Sequence, residues 1–109
     1  MVHLARPVLR PVPAVRREAC GAQRGELSIT RAPGVPALIR WQPAGGEPVD
    51  LLPPYRLDRV EIRRSHRASL HGLTAGVRLV TAGRSLLFLV PPADLPALAL
   101  AAASTRRAP

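Results

Sequence analysis

A mainly β domain, one antiparallel sheet that curls on itself and carries a single short helix near the C-terminus, is the fold class this sequence predicts. Three observations predict it. From Gly25 onward, short stretches alternate polar and apolar side chains with the period of two that a strand with one buried face requires. Turn signals separate those stretches, at Pro33-Gly34, Gly45-Gly46 and Ala82-Gly83. The segment after Asp94 carries helical spacing with a capping residue ahead of it.

The elements follow in order. Gly25-Glu26-Leu27-Ser28-Ile29-Thr30 alternates cleanly, Pro33-Gly34 turns the chain, and Ala37-Leu38-Ile39-Arg40-Trp41-Gln42 returns with Ile39 and Trp41 inward. Gly45-Gly46 makes a second turn before a short apolar piece, Val49 to Leu52, which Pro53-Pro54 ends. The stretch from Tyr55 to Arg63 alternates at both ends but slips phase between Leu57 and Val60, which predicts a bulge or a new strand there, with Val60 and Ile62 facing the core. A hairpin closes the series: Gly76 to Thr81, then Ser85 to Val90, whose second arm is apolar on both faces and so needs a cover on its outer side. The simplest cover is a C-terminal helix started by Asp94 and Pro96, with Leu95, Leu98, Ala99 and Ala102 on its packing face. The expected core is therefore Ile29, Ile39, Trp41, Val60, Ile62, Leu79, Phe88 and Leu98.

The chain of 109 residues leaves about 80 for a single core once a tail is set aside at each end. Residues 1–24 hold five Arg and one Glu, with Pro7, Pro11 and Pro13 between, and show neither helical nor alternating periodicity. They read as a flexible arm, residues 25–104 as the β-rich domain, and residues 105–109 as a basic tail. Hydrophobic residues make up 47% of the sequence, enough to fold the middle.

The net charge is +9, carried by 16 Arg and no Lys, against seven acids. Such a chain attracts acidic protein surfaces, nucleic acid or anionic lipid. Part of the excess reflects residue usage expected of a GC-rich bacterial gene, dominated by Ala, Pro, Gly, Leu, Val and Arg. Cys20 is the one cysteine, which excludes an internal disulfide and a cysteine-built zinc site within the chain. Prolines interrupt the N-terminus, and the most apolar stretch, Leu86 to Ala103, is cut by Pro91, Pro92, Asp94 and Pro96, short of the roughly 20 residues a transmembrane span needs. The sequence therefore predicts a soluble, unexported, cytoplasmic protein.

The order of short antiparallel strands, five or six of them, closed by one helix resembles the pleckstrin-homology-like (PH-like) split barrel of small bacterial domains. The resemblance covers residues 25–104. It rests on the run Gly76-Val77-Arg78-Leu79 through Leu86-Leu87-Phe88-Leu89-Val90 into Asp94-Leu95, similar to that family's last hairpin and helix. The well-formed apolar framework, without residues that carry chemistry, favours an interaction module over an enzyme.

Residue chemistry leads the same way. His66 and His71 are five apart, which fits neither one helical face nor a ligand motif, and no cysteine or carboxylate cluster supports a metal. There is no Gly-x-Ser-x-Gly elbow, Cys20 falls in the arm, and no glycine-rich phosphate cradle is present, so no catalytic residue or cofactor is assigned. Asp58 and Glu61 lie among arginines that neutralise them on a solvated face. The one sharp feature is Arg56, Arg59, Arg63, Arg64 and Arg67, five guanidinium groups in twelve residues. Guanidinium binds carboxylate and phosphate bidentately, so these five are the candidate binding residues and an acidic protein surface the expected partner. Nucleic acid is disfavoured, because the chain has one Trp, one Tyr and one Phe, and Trp41 and Phe88 are expected in the core rather than stacked on bases. Nothing in the sequence sets the oligomeric state.

Overall fold

The computed structural model describes residues 8–19, 21–62 and 72–105. Seven strands form one antiparallel sheet: β1 (Val8–Glu18), β2 (Gly21–Ala32), β3 (Val35–Pro43), β4 (Val49–Leu51), β5 (Arg56–Val60), β6 (Ala75–Thr81) and β7 (Arg84–Val90). A 3-10 turn (Pro92–Asp94) leads into α1 (Leu95–Thr105). The spatial order is β4-β3-β2-β1-β7-β6-β5. The predicted mainly β class, with one short C-terminal helix, is the observed one.

The expected hairpins form. Leu27 pairs with Trp41 and Ile29 with Ile39, and Pro33-Gly34 turns the chain, Gly34 at φ 76°, a backbone region that glycine enters without a Cβ clash. Val77 pairs with Phe88 and Leu79 with Leu86, so β6 and β7 present one continuous apolar face.

The first correction concerns the arm. Residues 8–18, assigned from the sequence to a flexible segment, form β1 at the middle of the sheet, paired along its whole length with β2 and at Val15, Arg16 and Arg17 with β7. Val12 and Ala14 are buried in the core. Pro11 and Pro13 are tolerated because β7 pairs with β1 only from Val15 to Arg17, so at both prolines one edge of β1 has no strand neighbour among the described residues to require an N–H.

The sheet curls without closing. β4 and β5 lie at opposite ends of the strand order, yet only residues 52–55 join them. The five steps from Leu51 to Arg56 span at most about 18 Å, so the end of β4 and the start of β5 lie near each other. Tyr55 latches that end: its hydroxyl donates to the Leu51 carbonyl and accepts from the Ile39 N–H at 3.0 Å, while the Ala82 N–H donates to the Leu52 carbonyl at 3.0 Å. α1 packs against β2, β3 and β5, and Leu98, Ala101 and Ala102 join the core beside Phe88 and Val90. Ser104 pins its far end, the Oγ accepting from the Ala37 N–H at 3.1 Å and donating to the Ala101 carbonyl at 2.7 Å. At its start, the Asp94 carboxylate meets Arg10 at 2.7 Å and so ties the helix to β1.

Three smaller expectations are corrected by the same geometry. The helix does not cover the outer side of β7; Val15, Leu89 and Leu73 form a second apolar cluster there with Ile62, supplied by the two ends of the β5–β6 connection. Gly76 permits it, since a Cβ at that position would lie 2.6 Å from the Ile62 Cγ1. The helix buries Leu98, Ala101 and Ala102, whereas Ala99 is exposed. Finally, β5 pairs with β6 in unbroken register from Arg56–Val80 to Val60–Gly76, without a bulge. Leu57 therefore shares the core side with Leu79, and Val60 and Ile62 are half-buried on the outer side. The other six expected core residues are buried.

Tyr55 offers a direct test of the latch. Replacing it with Phe removes two hydrogen bonds and leaves the Ile39 N–H buried without an acceptor, a loss of about 2 kcal/mol in urea unfolding. Burial pushes the phenol above its ordinary value, with the Asp50 charge adding and the Ile39 hydrogen bond opposing. The unfolded chain, whose tyrosine ionises near pH 10, then holds fewer protons than the folded chain above that pH, so stability falls as pH rises through the folded value. The chain has no lysine to titrate in that range. The urea midpoint of the native protein should decline above about pH 10, and Tyr55→Phe should flatten that decline.

Candidate functional site

Arg56 and Arg59 are the candidate binding residues that the structure describes; Arg63, Arg64 and Arg67 lie outside the described residues, as do His3, His66, His71 and Cys20. Both described arginines belong to β5, which among the described residues has β6 on one side and no strand on the other. They occupy opposite faces. Arg56 lies opposite Val80 on the outer face, where its Nε meets the Asp58 Oδ2 at 3.1 Å and Asp58 in turn faces Arg78 across the ladder. Arg59 lies opposite Val77 on the core side, but the edge leaves its side chain exposed. The alternation of a strand makes this split unavoidable for residues three apart. Among the described residues, β5 thus has one edge that no strand pairs with, and one guanidinium stands on each of its faces.

The Arg56–Asp58 pair does not consume Arg56. Its side chains are 59% and 45% exposed, and a pair so solvated is held by less than about 1 kcal/mol, so a carboxylate from a partner can compete for it.

No cluster of three His, Cys, Asp or Glu able to hold a metal occurs among the described residues. Tyr55 is the described group with a shifted ionisation, and its hydroxyl is engaged in the latch. An open groove of about 830 Å³ runs between the β2–β3 hairpin, Pro53-Pro54 and α1. Its walls include Val35, Pro36, Pro53 and Leu100; of its polar side chains, Ser104 is committed to the helix anchor and Arg31 stands at the hairpin. The arrangement can bind but has no described nucleophile aligned with a base.

Sequence reasoning missed a second surface. Leu9, Leu38 and Leu52 stand 61%, 50% and 59% exposed and line one shallow cleft with Arg40 and Asp50 on the outer face of β1 to β4. Leu9 was hidden by its assignment to the arm, and the alignment of the three depends on strand register. Among the described residues, no helix is long and apolar enough to cross a membrane. Comparison of the chain with protein-family models, with curated proteins and with solved structures returns no match.

Proposed function

We propose that this domain is a non-catalytic interaction module that binds an acidic polypeptide along the free edge of β5, with Arg56 and Arg59 as its charged anchors. The carrying observation is the edge itself: β5 is five residues long against three in β4, and it alone of the two edges places an exposed Arg on each face. An unpaired strand edge supplies main-chain hydrogen bonds to an extended segment, and flanking side chains choose its sequence. Arg63, Arg64 and Arg67, which follow in the chain, extend the same preference for carboxylates. We also read the fold as a PH-like barrel. Seven antiparallel strands whose last hairpin leads into a helix against the core support that reading, and the strand β1 supplies an element that the sequence resemblance lacked.

A basic nucleic-acid binder is the rival, favoured by the net charge of +9. Against it, Trp41, Tyr55 and Phe88, the only Trp, Tyr and Phe of the chain, are all buried and offer no ring to a base. The test measures binding of a fluorescent, strand-forming Glu/Val decapeptide and of duplex DNA at physiological salt. Arg56→Glu combined with Arg59→Glu should weaken the peptide about tenfold or more, the scale of a lost charge pair at an interface. If the double variant binds peptide like the native protein while DNA is held with a steep salt dependence, the module is a phosphate-backbone binder instead.

A further inference from the structure

We infer that the tip of the β2–β3 hairpin, with the side chains around it, inserts into the surface of an anionic lipid bilayer. From Ala32 to Ile39 the chain reads Ala-Pro-Gly-Val-Pro-Ala-Leu-Ile, without one polar side chain, where an exposed turn is ordinarily polar. Pro33, Gly34, Val35 and Pro36 are all exposed. The six exposed large hydrophobic side chains among the described residues gather at this end of the molecule: Val8, Leu9, Val35, Leu38, Leu52 and Leu100. Val8 pairs with Arg31, and Ala32 with Val35, on the last rungs before the turn. Behind them runs a row across four strands, in which Leu9 pairs with Thr30 and Thr30 with Leu38; because Ile39 pairs with Leu51, Leu52 falls opposite Leu38. Leu100 of α1 lines the open groove together with Val35. Scattered exposed leucines need no explanation, but six aliphatic side chains at one end mark a contact surface.

Their distribution selects the occupant. Leu9, Leu38 and Leu52 line the cleft on the outer face, while Val35 and Leu100 line the groove on the other. A flat protein surface covers one face of a hairpin, whereas the apolar layer of a bilayer surrounds an inserted tip on both. Backbone chemistry agrees, because Pro33 and Pro36 have no N–H to strip of water in a medium where each unsatisfied donor is costly. Charge sets the kind of lipid. None of the seven acids stands on these rungs; Asp50 in the next row and Asp94 beside β1 are already paired, with Arg40 at 2.6 Å and Arg10 at 2.7 Å. Arg31 is exposed beside the turn and has no ionic partner among the described residues. Its alkyl stem follows the apolar tip while the guanidinium stays among lipid phosphates. The chain also continues from this end, past Val8 to Arg6 and past Ser104 to Arg106 and Arg107. The net charge of +9 draws the whole molecule to an anionic leaflet.

Geometry sets the depth. A strand rises about 3.4 Å per residue, so Leu9 and Leu38 sit about 10 Å behind the turn, comparable to the roughly 5–10 Å that interfacial segments penetrate. The contact is peripheral and reversible, since it uses a handful of aliphatic side chains and no helix among the described residues is long and apolar enough to cross a membrane. It does not rest on the β5 reading, which concerns another strand and a peptide.

The experiment is co-sedimentation of the full chain with phosphatidylcholine vesicles, with or without about one-third phosphatidylglycerol. The pressure rise of a lipid monolayer, which registers insertion rather than adsorption, accompanies it. The native protein should bind the anionic vesicles about tenfold or more tightly than the neutral ones and raise the monolayer pressure. Val35→Ser and Leu38→Ser, on opposite faces of β3, should each weaken binding about tenfold, the scale of one buried aliphatic side chain, and reduce the pressure rise. Arg31→Glu should weaken it about tenfold, whereas Arg24→Glu, the same change of charge far along β2, should cost less than about threefold. The fold tolerates all four, because every altered side chain is exposed, and circular dichroism checks it. A native protein that leaves the anionic vesicles unbound overturns the proposal. So does binding indifferent to Val35→Ser or to Leu38→Ser, which makes the contact one-faced or purely electrostatic. Equal losses in Arg24→Glu and Arg31→Glu would assign the attraction to overall charge and overturn it too. Self-association without lipid that Leu38→Ser abolishes would give the patch to a second copy and overturn it equally.

Discussion

Deleting residues 1–18 abolishes folding: the truncated chain should show no cooperative urea transition and no dispersed amide spectrum. β1 pairs with β2 at eleven positions and with β7 at three, and it is the strand that joins β4-β3-β2 to β7-β6-β5. Without it, β2 and β7 both become free edges. Val12 and Ala14 leave the core, and Val15 leaves the outer cluster that it forms with Leu89 and Leu73. A domain of this size holds only about 5–15 kcal/mol in total, less than the burial and backbone pairing removed with a central strand. Were the truncated chain to unfold cooperatively near the native midpoint, residues 8–18 would be a dispensable arm after all.

Phe88→Ala should lower stability by about 3–5 kcal/mol, the range for deleting a buried aromatic ring whose site cannot collapse. Phe88 is 0% exposed, sits opposite Val77 on β6, and its ring centroid lies 5.1 Å from that of Trp41 at an interplanar angle of 57°. Tilted contacts of this kind add to the burial itself. Trp41 comes from the β2–β3 half of the sheet and Phe88 from the β6–β7 half, so the pair fastens the two halves through the interior. The measurement is urea unfolding followed by the single tryptophan, whose emission should also shift red as water reaches the cavity. A loss well under 1 kcal/mol would mean that β7 turns its other face to the core.

Much of the fold was legible locally. The run from Gly25 to Thr30 buries alternate residues, the β6–β7 hairpin forms from its two apolar arms, and Pro33-Gly34 and Ala82-Gly83 turn where their backbone preferences place them. β1 was illegible because Pro11 and Pro13, read alone, signal a break; the sheet accommodates them on a stretch that β7 does not reach. In β5, Leu57 and Val60 are three apart, so only one can face the core, and the sequence favoured Val60 with Ile62. Packing chose Tyr55 and Leu57, because the latch beside Leu51 fixes which side of the strand points inward.

The sites divide in the same way. Composition and spacing alone determined that Arg56 and Arg59 are charged groups on a strand, that Trp41 and Phe88 are core, and that one short helix follows the last hairpin. Only the tertiary structure decided that β5 is an edge, that its two arginines stand on opposite faces, and that Leu9, Leu38 and Leu52 align across four strands. The physical reason is range. Alternation and turn preference act over a few neighbouring residues, whereas strand order and register are set by hydrogen bonds and burial between residues far apart in the chain, and a row across a sheet has no counterpart along the sequence.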